Sequence, residues 1–225
     1  MPVSKRSPAP RTLRHYTNAL ALIDMLMHKR LTLRSPARWF DQNDALGLET
    51  YSKLRGEEVS GEGSVYALCF AIGTEQAHHW QLFASSDHGL CISFDFVRAV
   101  SYFKNLPILS DPVKYRSLQE IRDMGEIEQD DLPFLKRDTF EAEDEYRIVA
   151  WEESFFADET YAIPIPLDLI TRVTFGPAMP KGFTKTLMEF RNQPDAKHIT
   201  FHHSRLVNNA SWADVIQKGV AGRIS

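Results

Sequence analysis

Short strand-like segments are mixed irregularly with short helix-like segments along this chain, and that mixture constrains the fold more than any single motif. The strand-like segments either alternate apolar and polar residues or are continuously apolar. They are LRHYT, LTLRS, SVYALCFAI, GLCISFDF, PVKYRS, DEYRIVAW, AIPIP, ITRVTFG and HITFHHSRL. Because no strict strand–helix–strand rhythm connects them, the pattern favours an α+β fold over a doubly wound parallel sheet.

The boundaries of several helices are predicted from capping residues. Thr17 is the expected N-cap of the first helix, Thr74 that of a second and Asp95 that of a third. Residues 36–50 are rich in turn formers, so we expect an irregular loop there. The acidic stretch 118–140 is expected to be a helical or irregular connection.

Size and charge limit the class of protein. The chain has 225 residues, 43% of them hydrophobic, which is enough for one well-packed domain. We expect that domain over 12–225, preceded by a flexible basic arm over 1–11. The net charge of -4 argues against coating nucleic acid through bulk positive charge. With two cysteines and no apolar run of membrane-spanning length, a cytoplasmic protein is expected.

Four acidic residues crowd the segment EAEDEYRI, at Glu141, Glu143, Asp144 and Glu145. If a strand begins early here, alternation places Glu141, Glu143, Glu145 and Arg147 on one face. Like charges in a row are destabilising unless a cation, a metal or a ligand shares them. Solvent exposure, pairing of Glu145 with Arg147 or another base, or helix capping would relieve the repulsion without any function.

Several short motifs occur in an order that resembles a known family. They are HYT at 15–17, FDQNDALGLE at 40–49, HWQLFA at 79–84, GLCISFD at 89–95 and EDEYR at 143–147. Together they resemble a bacterial family of unknown function related to the ADP-ribosyltransferase-like superfamily. The chain departs from that family's pattern at Ala45, where proline is usual, and at Phe140, where tryptophan is common. The resemblance implies a split β-sheet core with short helices.

The resemblance also implies a reaction, the transfer of ADP-ribose from NAD. Glu145 would be the catalytic carboxylate that stabilises positive charge on the ribose, and Glu143 would act on the attacking nucleophile. Trp80 would stack on nicotinamide, although an aromatic residue at helical spacing is more often part of a core.

The same resemblance implies how NAD is bound. His15 would hydrogen-bond a ribose hydroxyl, with the backbone of Tyr16 and Thr17 near the nicotinamide amide. Because the chain has no glycine-rich phosphate loop, Arg34 and Arg38 are the candidates for the pyrophosphate. His15 could instead be a structural histidine at a strand end, and Arg34 and Arg38 could be ordinary surface arginines.

Other functions remain open from the sequence. No metal site is expected, since no His-Glu-x-x-His or Cys-x-x-Cys motif occurs. The acceptor of ADP-ribose is predicted to be nucleic acid or protein, in a role such as bacterial defence or a toxin system. The main alternative is a non-catalytic module of the same fold that binds a nucleotide or a protein partner.

Overall fold

The computed structural model describes residues 12–39, 41–153, 159–207 and 209–221. Its strands are β1 Thr12–Asn18, β2 Arg30–Arg34, β3 Gly63–Ile72, β4 Gly89–Asp95, β5 Leu109–Pro112, β6 Lys114–Arg116, β7 Leu135–Arg137, β8 Glu145–Glu153, β9 Thr160–Pro164, β10 Ile170–Phe175 and β11 Thr200–His203. Its α-helices are α1 Ala19–His28, α2 Gln42–Val59, α3 Ala77–Phe83, α4 Phe96–Lys104, α5 Leu118–Met124, α6 Lys181–Met188 and α7 Ala210–Ala221. The predicted arm over 1–11 lies outside the described residues.

The strands form one large, mostly antiparallel sheet and one small sheet. The large sheet has the order β11-β10-β4-β1-β3-β2-β9, with β8 paired to β3 and β5 paired to β8. The small sheet is the parallel pair of β6 and β7. Only β10 and β11 run parallel among the paired strands of the large sheet. The predicted α+β class, with a split sheet and short helices, is therefore confirmed.

The sheet splits along one edge of β3. β1 pairs with β3 through Leu13 and Arg14 alone, opposite Ile72 and Ala71, and then leaves it. β2 joins the same strand further along, at Ala67. The other edge of β3 is fully paired with β8 over nine residues. We call the edge of β3 between these two pairings, at residues 68–70, the strand opening.

Three of the local predictions about helices are corrected. Asn18, not Thr17, caps α1, because its side chain accepts a hydrogen bond from the Ala21 amide. The N-cap of α3 is Gln76 rather than Thr74, and it makes no side-chain capping bond. Asp95 caps α4 as expected. The predicted loop over 36–50 holds a 3-10 helix and most of the first half of α2.

The two faces of the large sheet bury different cores. The larger core lies on the face of Tyr66, Leu68 and Phe70, where α1 and α4 contribute Leu22 and Phe103. Smaller apolar clusters on the other face pack under α2 and α3. Among the described helices, none has both the length and the apolar character needed to cross a bilayer.

Candidate functional site

Five charged side chains meet on the sheet face that α2 covers. They come from α2, β7, β8 and the 3-10 helix Asp138–Glu143 that precedes β8. They are Asp44, Lys136, Glu143, Glu145 and Arg147. All five side chains are at most 10% exposed. We call this group the acid cluster, since it has three carboxylates and two cations.

Arg147 is the fixed centre of the acid cluster. Its guanidinium donates to both carboxylate oxygens of Asp44 at 2.7 and 2.8 Å and to Glu145 Oε2 at 2.8 Å. A further bond of 2.8 Å reaches the Pro133 carbonyl, and the Trp39 ring lies 5.1 Å from the guanidinium carbon. This bidentate geometry is the strong form of an arginine–carboxylate pair. It ties α2 to β8.

Lys136 bridges the three acids. Its Nζ donates to Glu143 Oε2 at 2.6 Å and to Glu145 Oε1 at 2.8 Å, and it lies 3.4 Å from Asp44 Oδ2. The Phe140 ring is centred 5.0 Å from the same ammonium. Both oxygens of Glu145 therefore contact a cation, which explains how the acids tolerate one another.

The two glutamates of the acid cluster ionise at different pH values. Burial opposes the charge of Glu145, but Arg147, a hydrogen bond from Glu143 and Lys136 outweigh it and hold its pKa well below the ordinary value. Burial and the hydrogen bond to Glu145 raise the pKa of Glu143 to about 7. One proton held by the pair makes the cluster electrically neutral.

A turn in the backbone brings the glutamates together. Strand β8 begins only at Glu145, so the expected early strand with Glu141, Glu143 and Glu145 in one row is wrong. Glu143 ends a 3-10 helix instead, and Asp144 takes a left-handed conformation with φ 44°. That turn carries the chain into β8 and lets both carboxylates reach Lys136.

Two histidines of α3 hold this turn. His78 Nε2 lies 2.8 Å from the Ala142 carbonyl, and His79 Nε2 lies 3.1 Å from the Glu143 carbonyl. A carbonyl only accepts hydrogen bonds, so both Nε2 atoms donate. His79 is 1% exposed, and burial is the main cause that lowers its pKa. A neutral His79 thus helps to fix the backbone turn that precedes Glu145.

Tyr16 and Trp80 pack beside His79. The Tyr16 ring is 5.2 Å from the His79 ring and 5.1 Å from the Trp80 ring, the latter edge to face. The Trp80 indole donates to Glu75, and the residue is 4% exposed. Tyr16 thus contacts a histidine that bonds the Glu143 carbonyl, and Trp80 lies behind Tyr16, with both rings packed in the protein.

His15 lies in the strand opening. Its Nδ1 is 3.1 Å from the Cys69 carbonyl, and its ring contacts Phe70 edge to face. Burial, with a contribution from nearby Arg34, lowers its pKa to about 4. His15 is therefore neutral at pH 7 with the proton on Nδ1, which leaves Nε2 as an acceptor. Arg34 ends β2 and is exposed.

The structure does not bring His15 and Glu145 face to face. Glu145 pairs with Ala71 and shares its side of the sheet with Tyr16, whereas successive residues of β1 point to opposite faces. β3 therefore separates the imidazole from the acid cluster. Thr17 is half-buried on β1, and the side chain of Arg38 lies outside the described residues.

Three members of the acid cluster were missed as site residues from the sequence. The sequence predicts Arg147 on the face of Glu145, but it places Asp44 in a stretch rich in turn formers and indicates no role for Lys136. The pair Asp44–Arg147 spans 103 positions, so no local pattern reveals it. Lys136 was the signal in the sequence that could have indicated this site, because it is one of three bases among the eleven acids of 120–145.

The raised pKa of Glu143 predicts how stability changes with pH. A carboxyl group whose pKa rises on folding from about 4.5 to about 7 stabilises fully below the lower value and loses this as pH rises through the upper. Glu143→Gln is therefore expected to gain about 1–2 kcal/mol over the wild type between pH 4.5 and pH 8. Urea unfolding at both pH values measures this.

The matched control is Glu141→Gln, at an exposed position two residues earlier. Its difference from the wild type should stay the same at both pH values. If the difference for Glu143→Gln is also constant with pH, the acid cluster does not hold the proton.

Two other features bear on the choice of site. Two shallow surface grooves share Ser52 and Lys53 of α2, and neither is lined by a member of the acid cluster. Within the described part of the chain, no group of three or more His, Cys, Asp or Glu side chains is arranged to hold a metal ion.

Comparisons with known proteins give two structural neighbours. No family model matches the sequence, and no curated protein matches it. Thermus sp. 2.9 DarT in complex with carba-NAD+ is similar over 88% of this chain and 98% of its own, with a TM-score of 0.43 and 12% identity. The same protein in complex with NAD+ is similar over 89% and 98%, with a TM-score of 0.44 and 12% identity.

Proposed function

We propose that this chain binds NAD and transfers its ADP-ribose group to an acceptor, with Glu145 and Glu143 as the reacting carboxyl groups. The observation that carries the proposal is the pair of glutamates on one ammonium, with Glu143 Oε2 at 2.6 Å and Glu145 Oε1 at 2.8 Å from Lys136 Nζ. Two neighbouring carboxyl groups with pKa values driven apart are a recurrent sign of divided catalytic roles.

Each glutamate suits the role that the motif resemblance implies. NAD would supply the bond between nicotinamide and ribose, whose cleavage leaves positive charge on the ribose. Glu145 stays ionised and can stabilise that charge. Glu143 has a pKa of about 7, which suits a base that takes the proton of the attacking acceptor near neutral pH.

The residues proposed to hold NAD have suitable chemistry. The free Nε2 of His15 can accept a hydrogen bond from a ribose hydroxyl. Arg34 is exposed beside it and offers a guanidinium to the pyrophosphate, with Arg38 as a second candidate. Tyr16 and Thr17 follow on β1, and Trp80 packs against Tyr16. We propose these residues as the NAD site. Since β3 separates His15 from Glu145, one NAD molecule can contact both residues only through the strand opening.

A direct test is incubation with NAD labelled in its adenylate part, together with mixed nucleic acid and protein. The proposal expects free nicotinamide to appear and the label to enter one acceptor class. The result names both the reaction and the acceptor. Absence of nicotinamide release, together with no NAD binding by calorimetry, would overturn the proposal.

A second candidate is a non-catalytic module of the same fold. It is favoured by one observation: Glu145 is 5% exposed and both of its oxygens already contact Lys136 and Arg147. Such a module would bind a nucleotide or a protein partner without cleaving it. Calorimetry separates the candidates, since a module that binds NAD would leave it intact.

A further inference from the structure

Lys136 occupies the place in the acid cluster where a positive charge is best stabilised. Its ammonium contacts Glu143 and Glu145, and Asp44 Oδ2 is 3.4 Å away. A ribosyl cation would be stabilised by that same Glu145 carboxylate. The lysine and the substrate would therefore compete for one group.

The two cations of the cluster differ in how firmly they are held. Arg147 is fully buried, and its planar fork makes four hydrogen bonds from two nitrogens. Lys136 carries a compact ammonium on a flexible stem. It extends from β7, a strand of three residues in the small sheet. Lys136 is thus the cation that can change partner while Arg147 stays in place.

We propose that Lys136 is a positioning residue that acts as an internal counter-ion. It pairs with Glu145 in the free protein and moves toward Asp44 when NAD binds. This inference rests on the proposed function. Asp44 Oδ2, at 3.4 Å from the ammonium, is already within salt-bridge distance, so Lys136 can strengthen this contact without leaving the acid cluster. In that position Lys136 remains paired, and Glu145 Oε1 becomes free for the substrate.

The surroundings of Lys136 limit which other groups could take its place. Besides the carboxylates, its charge acts on Tyr115 of β6 and Cys69 of β3. Arg147 of β8 contacts the same Asp44 and Glu145, and His79 of α3 bonds the Glu143 carbonyl. Tyr115 accepts a hydrogen bond from the Glu145 amide, and burial raises its pKa. Burial likewise raises the pKa of the Cys69 thiol. Tyr115 and Cys69 are therefore neutral near pH 7, so neither can replace the ammonium as a positive charge.

The test is Lys136→Met, with NAD binding measured by calorimetry at pH 8. Substrate no longer has to displace a charged hydrogen bond, so the dissociation constant for NAD should fall about tenfold or more. Loss of the ammonium should also raise the pKa of the carboxyl groups. The acidic limb of the pH profile of NAD cleavage should therefore move to higher pH.

Lys114→Met is the matched control. Lys114 lies on β6 of the same small sheet and pairs with Asp131 at 2.6 Å, outside the acid cluster. It removes the same charge and should leave NAD binding and the pH profile unchanged. If Lys136→Met does not fold, Lys136→Met with Glu143→Gln keeps the formal charge of the cluster and tests the binding in its place.

The outcomes separate the two claims. Unchanged or weaker NAD binding by a folded Lys136 variant overturns the counter-ion inference, while cleavage by the wild type would still support the proposed function. Tighter binding with a shifted pH profile supports the inference. If the wild type neither binds nor cleaves NAD, both claims fail.

Discussion

Replacing Arg147 with methionine is expected to lower the free energy of unfolding by about 3–5 kcal/mol, enough to unfold a marginally stable domain. The substitution leaves Asp44 without its bidentate partner and the Pro133 carbonyl without a donor. Of its two cationic partners, Glu145 keeps only Lys136. Removing one partner of a buried ion pair costs far more than the pair contributes, because the remaining charge stays desolvated. Urea unfolding followed by circular dichroism measures the loss.

Arg98→Met is the matched surface control. Arg98 donates to the carboxylate and the carbonyl of Asp168, but both side chains are more than half exposed. Its loss should cost less than about 1 kcal/mol. Comparable losses for the two variants would show that the acid cluster is not the tie between α2 and β8.

Glu145→Gln is expected to lower the rate of NAD cleavage by at least about 100-fold. Glutamine keeps the shape and can still accept one bond from Lys136 or Arg147, but it carries no charge to stabilise a ribosyl cation. Measured nicotinamide release gives the rate, and near-ultraviolet circular dichroism shows whether the packing is kept. Because Glu145 supports the fold too, Glu145→Asp provides a second readout with the charge retained.

Glu152→Gln serves as the control for that experiment. Glu152 lies at the exposed far end of the same strand, β8. It should cleave NAD at the wild-type rate. If a folded Glu145→Gln protein also does so, Glu145 is part of the scaffold alone, and the non-catalytic role of the acid cluster is the correct one.

Most strands could be predicted from the sequence because burial in a sheet produces a local alternating or apolar pattern. β4 is buried at six of its seven residues and β3 at six of its ten, and both strands were evident for that reason. α2 was missed because its 18 residues carry no clear apolar stripe, and a charged residue, Asp44, is among those it buries. Contact with Arg147, far away in sequence, adds to the apolar contacts of Leu48 and Tyr51.

The acid cluster could be predicted only in part. The spacing of Glu145 and Arg147 put them on one face of a strand, and the structure places them in contact. The left-handed turn at Asp144 was not visible, since aspartate adopts this conformation more often than most residues but still at a minority of positions. The bonds of His78 and His79 to the carbonyls of that turn depend on tertiary contact and leave no local pattern in the sequence.

The short pairing between β1 and β3 has a mechanical consequence for the molecule. Only Leu13 and Arg14 carry that pairing, whereas β1 with β4 and β3 with β8 are joined along seven and nine residues. A rotation of one half of the sheet against the other would strain these two pairs and spare the longer ladders. The β1–β3 pairing is therefore a weaker connection than either longer ladder, and it adjoins the imidazole of His15.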